Sequence, residues 1–206
     1  MKKFDELAGD ESLTKTVANL KAHNIDSVVV ENGKEAQEKI LTLIPNGASI
    51  MNGSSRTLEQ IGFIELLKSN EHQWNNHHGQ IVAETDPAKQ AQLRQQALLS
   101  DYYLGSVHAV TEEGEFVVAS NTGSQLPHIA YSSANLVLVV GTQKVVANIA
   151  EAFKRIDEYV IPLEDENMQQ KYGMGTQLNK MLIFKGENPM FGRKVTIIFV
   201  KEVLGF

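Results

Sequence analysis

The segment Asn52-Gly53-Ser54-Ser55-Arg56-Thr57 joins an apolar run to an amphipathic one. Glycine lets a backbone come close to a ligand. Hydroxyl residues at a helix entrance sit beside unpaired N–H groups and the positive end of the helix dipole. Gly53, Ser54, Ser55 and Arg56 are therefore candidate ligands for a phosphate or carboxylate. The plainer expectation is capping, with Ser55 or Thr57 as N-cap and Thr57 and Gln60 at capping-box spacing. The segment is not a nucleophile elbow, because Arg56 stands where the second glycine of G-x-S-x-G belongs. Nor is it a P-loop, because it lacks the Gly-Lys pair.

Thr111-Glu112-Glu113-Gly114-Glu115 places three carboxylates in one turn. Like charges raise the pKa of the least solvated member, so Glu112 is a candidate general base or nucleophile, with Gly114 shaping the turn. A solvated hairpin turn is the bland alternative. Asn121-Thr122-Gly123-Ser124-Gln125 follows the next strand, where open α/β sheets place ligands, and it contributes Asn121 and Gly123 as candidates. Lys144 is expected to open the helix after a buried strand. A cation there opposes the helix dipole unless it reaches toward an anion. His72, His77 and His78 share a polar stretch without metal-ligand spacing, so no metal is expected. His108 is expected to be hydrogen-bonded and structural.

These segments must be positioned by the elements around them. Hydrophobic periodicity predicts helices over 4–22, over 34–43, from about 57 to 67, over 87–100 (with Asp86 as N-cap and Pro87 in the first turn), over 149–160 and over 164–172. Strands are expected at 25–32, 48–52, 81–84, 101–111, 115–120, 135–142, 181–184 and 195–206, with 69–79 as a loop. NLVLVVGT at 135–142 carries a continuous apolar run, as in a strand buried on both faces. Strands alternating with helices imply right-handed crossovers. The expected fold is α/β, a mostly parallel sheet flanked by helices on both faces, with a small antiparallel hairpin around Gly114. No repeat or linker divides the chain, so 1–206 reads as one domain with its N-terminal helix packed on it.

Composition narrows the function classes. The chain has 206 residues, 42% hydrophobic and 21% charged, which is ordinary for a globular protein. A net charge of −6 argues against nucleic acid as a partner. No apolar run is long enough to cross a bilayer, so no membrane partner is expected. The charged first residues lack a secretory signal, which leads to the expectation of a cytoplasmic protein. With no cysteine, the chain has no disulfide, thiolate nucleophile or cysteine-ligated cluster, and no cofactor is expected.

SSRTLEQIGFIELL, AVTEEGEFVVASNTG, NLVLVVGTQKVVANIAEAFKRIDEYVIPLE and VTIIFVKEVLGF together resemble the LUD-domain family, which includes lactate-utilisation protein C. The resemblance runs in order through nearly the whole chain. It implies the fold shared by ribose-5-phosphate isomerases, glucosamine-phosphate deaminases and CoA transferases (NagB/RpiA/CoA-transferase-like). It also implies a link to oxidation of L-lactate to pyruvate beside iron–sulfur partners. Gly53, Ser54 and Ser55 match the family's Gly-Ser entrance, Glu112 and Gly114 its Glu-x-Gly turn, Gly123 its loop glycine and Lys144 its lysine. Gln125 stands near where relatives carry an arginine. The cysteine cluster of some relatives is missing, so electron transfer requires a partner.

The leading expectation is a component of lactate or organic-acid utilisation that binds a small carboxylate or phosphorylated metabolite between the Gly53–Arg56, Glu112 and Gly123 segments. One alternative is an acyl-transfer or isomerase-type enzyme using Glu112. Another is a scaffold for iron–sulfur lactate-oxidation subunits. A homodimer is a further expectation, through the apolar C-terminal strand.

Overall fold

The computed structural model describes residues 4–69 and 71–206. The first half alternates α1 (Asp10–Ala22), β1 (Asp26–Val30), α2 (Gly33–Leu43), β2 (Ser49–Asn52), α3 (Arg56–Gln60), α4 (Phe63–Ser69), β3 (Asn75–Asn76), α5 (His77–Ala83), α6 (Pro87–Ala97) and β4 (Tyr102–Gly105). The second half contains β5 (Ala109–Thr111), β6 (Phe116–Ser120), β7 (Asn135–Gly141), β8 (Val145–Val146), α7 (Ile149–Arg155), α8 (Ile161–Tyr172), β9 (Lys180–Phe184) and β10 (Lys194–Val200). α7 passes into α8 through a π-helical turn at Ile156–Val160.

Six strands form a sheet in the order β1-β10-β7-β4-β2-β3, and every neighbouring pair is parallel. Side-chain alternation explains the helices on both faces. Leu136, Leu138 and Val140 of β7 pack into one core with Leu20 and Ile25. Val137 and Val139 enter the opposite core with Ile40, Ile50 and Leu58. Each such fully buried side chain contributes about 1.5–3 kcal/mol relative to exposure. A second sheet, β8-β5-β6-β9, combines the expected β5–β6 hairpin with a parallel β8 and an antiparallel β9. Ala109, Val117 and Val146 of this sheet pack against Ala152, Ile156 and Val160 of the α7–α8 run, making a third core. The α/β class and the parallel sheet agree with the sequence expectation.

Several local expectations are corrected. Residues 81–84 are not a strand. Asn76 accepts the Gly79 N–H at 3.0 Å and starts α5, so Ile81 is buried while Val82 is 68% exposed. The expected loop at 69–79 contains β3 and the start of α5, and Asn70 of that loop lies outside the described residues. The expected strand 101–111 is two strands in different sheets, with Ser106–His108 at the corner between them. The strand expected to reach residue 206 ends at Val200, and residues 201–206 leave the sheet. β10 lies between β1 and β7, so both its edges are already paired. Of the two dimer modes this strand suggests, pairing across a two-fold axis therefore has no open edge to use, while packing through Leu204-Gly205-Phe206 needs none. Among the described residues no helix is long and apolar enough to cross a membrane, and no group of His, Asp or Glu is arranged to hold a metal ion.

Candidate functional site

The carboxyl ends of parallel strands leave a crevice in which open α/β sheets bind ligands. Here the chain leaving β2, β4, β7 and β10 opens onto one cleft of about 290 Å³. The loop after β6 and the α8 run close its other side. Its size suits a small metabolite.

Lys144 forms the floor. It is 2% exposed, and its Nζ donates to Thr57 Oγ1 (3.2 Å), Ser106 Oγ (3.1 Å) and the Val107 carbonyl (3.1 Å). It does not open a helix, as the sequence suggested. It ends the short 3₁₀ turn Thr142–Lys144 between β7 and β8, and α7 begins later with Asn148 as N-cap. The dipole argument for Lys144 therefore fails, although the residue does reach the cleft. Burial pulls its ammonium well below the ordinary lysine range, and the charge of Arg155 adds to the effect.

Arg155 is near enough for its charge to act on Lys144. It is fully buried, with NH1 donating to the His108 carbonyl at 2.7 Å and its guanidinium over the Tyr159 ring at 5.1 Å from the centroid. Burial lowers its pKa to about 10, so it remains a cation at neutral pH. Among the described residues neither Lys144 nor Arg155 forms an ion pair with a carboxylate.

His108 lines the wall. Its Nδ1 accepts the Ala119 N–H at 3.0 Å, which agrees with the hydrogen-bonded role expected for it. Burial, with the charges of Lys144 and Arg155, lowers its pKa to about 3. The ring is therefore neutral, and with Nδ1 accepting, the proton sits on Nε2. Among the described residues Nε2 has no hydrogen-bond partner, and the ring lines the cleft.

The Gly53–Arg56 loop forms the opposite wall. Ser55, rather than Thr57, is the N-cap of α3, accepting the Leu58 N–H at 3.3 Å. Thr57 and Gln60 do not form a capping box. The Thr57 hydroxyl faces Lys144 and Ser106, and Gln60 Oε1 accepts the Gly205 N–H at 2.6 Å. Gly53 is required by a neighbour in the protein: a Cβ there would lie 2.5 Å from the Tyr103 hydroxyl. Arg56 sits at the rim, 42% exposed and 3.4 Å from Glu59. Glu164 of α8 lines the cleft nearby, and desolvation raises its pKa.

The structure thus brings Gly53, Ser54, Ser55, Arg56, Asn121 and Lys144 to one cleft. Gly123 is turned away, although its neighbours Thr122 and Ser124 line the cleft. Its N–H is taken by Ser120 Oγ at 2.9 Å, and Lys180 backs its Cα at φ +83°. Gln125 lines the cleft and donates to the Ala119 carbonyl at 3.3 Å.

Glu112 and Gly114 do not join the cleft, because their turn docks on α1. Glu112 accepts hydrogen bonds from Ser12 Oγ (2.6 Å) and Lys15 Nζ (3.0 Å), and its carbonyl accepts from Asn19. Gly114, at φ +88°, lies against the Asn19 backbone, where a Cβ would come within 2.6 Å. Segments 54 and 122–124 therefore meet, and the acidic turn does not.

Sequence reasoning missed Tyr103, Ser106, Glu164, Gly205 and Phe206 as cleft residues. The one available signal was His108 beside Ser106, polar residues interrupting an apolar strand pattern.

The sequence matches the family profile described as the LUD domain over residues 13–174. No curated protein matches it. Among solved structures, a DUF162 family protein from Deinococcus radiodurans, whose crystal structure was determined at 1.70 Å resolution, is similar with a TM-score of 0.59. The identity is 11%, and the match covers 95% of this chain and 99% of that one. At that identity the likeness speaks to the fold, while the profile spans most of the sequence: the chain belongs to the LUD-domain family.

Proposed function

We propose that the cleft binds a small organic anion, a carboxylate or a phosphorylated metabolite, and that the protein is a ligand-binding component of organic-acid utilisation. The family's association with lactate utilisation supports that setting. The observation that carries the reading is the buried Lys144 amine. It lines a polar cleft, feels the charge of the buried Arg155, and no carboxylate among the described residues answers either group. A charged group held in low dielectric is costly unless it is paired. An anion in the cleft supplies a countercharge that draws a proton onto Lys144, and the three oxygen atoms around Nζ then accept from the three N–H donors of the ammonium. Arg56 at the rim adds long-range attraction.

Thermal stabilisation across lactate, pyruvate, CoA thioesters and sugar phosphates tests this. A ligand at 100 times its Kd adds about 2.7 kcal/mol to stability. Lys144→Met is expected to abolish the gain. If none of the panel stabilises the wild-type protein, the proposal fails.

A further inference from the structure

We infer that Ser106 is a nucleophile activated by Lys144, and that the cleft takes an acyl group from an ester or thioester onto the Ser106 oxygen. This rests on the cleft being the ligand site, but it does not require that the ligand be an anion.

Hydrogen-bond accounting singles out Ser106. A deprotonated lysine has two N–H donors and one lone pair. Lys144 Nζ has three oxygen neighbours. The Val107 carbonyl can only accept, so it takes one N–H. The Thr57 hydroxyl gives its own proton to Ser106 Oγ (3.2 Å) or to the Leu204 carbonyl (3.4 Å), so it accepts the second N–H. The lone pair is left for a hydroxyl: Ser106 O–H has two acceptors, the Val107 carbonyl at 3.4 Å and Nζ at 3.1 Å, and Nζ is the nearer. That is the arrangement of a hydroxyl nucleophile and an amine base. Burial of Lys144 favours the basic form.

Accessibility separates the two hydroxyls. Thr57 is 1% exposed and locked under Gly205, whereas Ser106 is half-buried and faces the cleft. Val107, between Ser106 and His108, is buried in the core, and both its neighbours line the cleft. The neutral imidazole therefore lines the same cleft as the nucleophile. A neutral imidazole donor is suited to an oxyanion.

The step balances within the protein. Ser106 Oγ bonds to the acyl carbon while its proton passes to Lys144 Nζ. The carbonyl oxygen becomes an oxyanion facing His108 Nε2–H. Collapse breaks the bond to the leaving oxygen or sulfur, which takes the proton from Lys144. Water then gives a proton to Lys144 and bonds to the acyl carbon; the bond to Ser106 Oγ breaks, Oγ takes that proton back from Lys144, and the carboxylic acid leaves.

The test uses the full chain with p-nitrophenyl acetate, followed by peptide mass mapping. The expected result is a burst of p-nitrophenolate with acetyl on Ser106, lost in Ser106→Ala. Lys144→Met should slow acylation by about 10²–10⁴-fold and remove its pH dependence. Should Lys144→Met fail to fold, the map of wild type against Ser106→Ala decides alone. A burst that survives in Ser106→Ala, or acetyl only on surface lysines, overturns the proposal. Stabilisation by an anion without acylation of Ser106 overturns it while leaving the anion reading standing. Acylation without anion stabilisation does the reverse.

Discussion

If the Lys144 amine is held in the low-charge form by burial and by Arg155, an anion that enters the cleft should bring a proton with it. The perturbation is ligand binding itself. An anion about 4 Å from Nζ, at an effective dielectric of about 20, interacts with the ammonium by about 4 kcal/mol. That corresponds to about 3 pKa units. The free-protein value lies well below the ordinary lysine range, and the bound value lies above it by that amount. Between the two values about one proton is taken up per ligand, and the observed Kd rises about tenfold for each unit of pH increase. Below the free value Lys144 is already charged, so the affinity is flat. Titration calorimetry in two buffers of different ionisation enthalpy reads the proton number as the slope of apparent enthalpy. A carboxylate ligand serves best, because it does not titrate near neutral pH. Lys144→Met should bring the slope to zero. Tight binding by the wild-type protein with zero slope and a flat pH profile would refute the reasoning, because the cation would then be permanently formed and its burial differently compensated.

Further outcomes follow from the packing around the cleft. Gly53→Ala drives a Cβ against the Tyr103 hydroxyl and should cost about 1–3 kcal/mol in urea denaturation. Tyr103→Phe removes the clashing atom, so the double variant should be more stable than the sum of the single effects, a coupling that a double-mutant cycle measures. Glu112→Gln weakens the bonds to Ser12 and Lys15 and should cost about 1 kcal/mol of stability while leaving ligand affinity unchanged, because the turn holds α1 and not the cleft. A loss of binding in that variant would return Glu112 to the site. His108 and His128 are held neutral, at about 3 and about 4, against an unfolded value of 6.5. In that window the unfolded chain binds more protons, so stability falls as pH drops through 6.5 and continues to fall toward the folded values. Between pH 7.5 and 5 each contributes a loss of up to about 2 kcal/mol. His108→Gln, which keeps an acceptor for the Ala119 N–H, should flatten that profile by one histidine's share.

The parallel sheet could be read from sequence because burial on both faces leaves a plain record. After Asn135, LVLVVG has no polar position to confuse the period, and Asp86-Pro87 announces α6 by its cap: Asp86 accepts the Ala88 N–H at 2.8 Å. The 81–84 segment was misread because IVAE is too short for its period to be told, and the helix is set instead by Asn76 upstream. The DYYLGSVHAVT run hid its break for a different reason. Tyr103, Leu104, Val107, Ala109 and Val110 are all buried, so the residues look like one strand although they serve two sheets.

That hidden corner also explains which part of the cleft was legible. Gly53–Arg56 and Asn121 stand in loops, where polar residues are conspicuous. Ser106 and His108 stand where a strand changes sheets, and no local pattern marks the place. The acidic turn misled for the converse reason: three carboxylates in five residues are locally conspicuous, but their direction depends on α1, whose Ser12, Lys15 and Asn19 lie some ninety to a hundred positions earlier. Lys144 was singled out on a dipole argument that does not apply, and it nonetheless reaches the site. What places it there is the register of β7 beside β4, Gly105 opposite Leu138, which brings the ends of both strands to one floor. Moving Lys144 by one residue along the 3₁₀ turn would aim the amine elsewhere. Gln143→Lys/Lys144→Gln should therefore lose the proton uptake even though its composition is unchanged, and calorimetry on that swap separates position from charge.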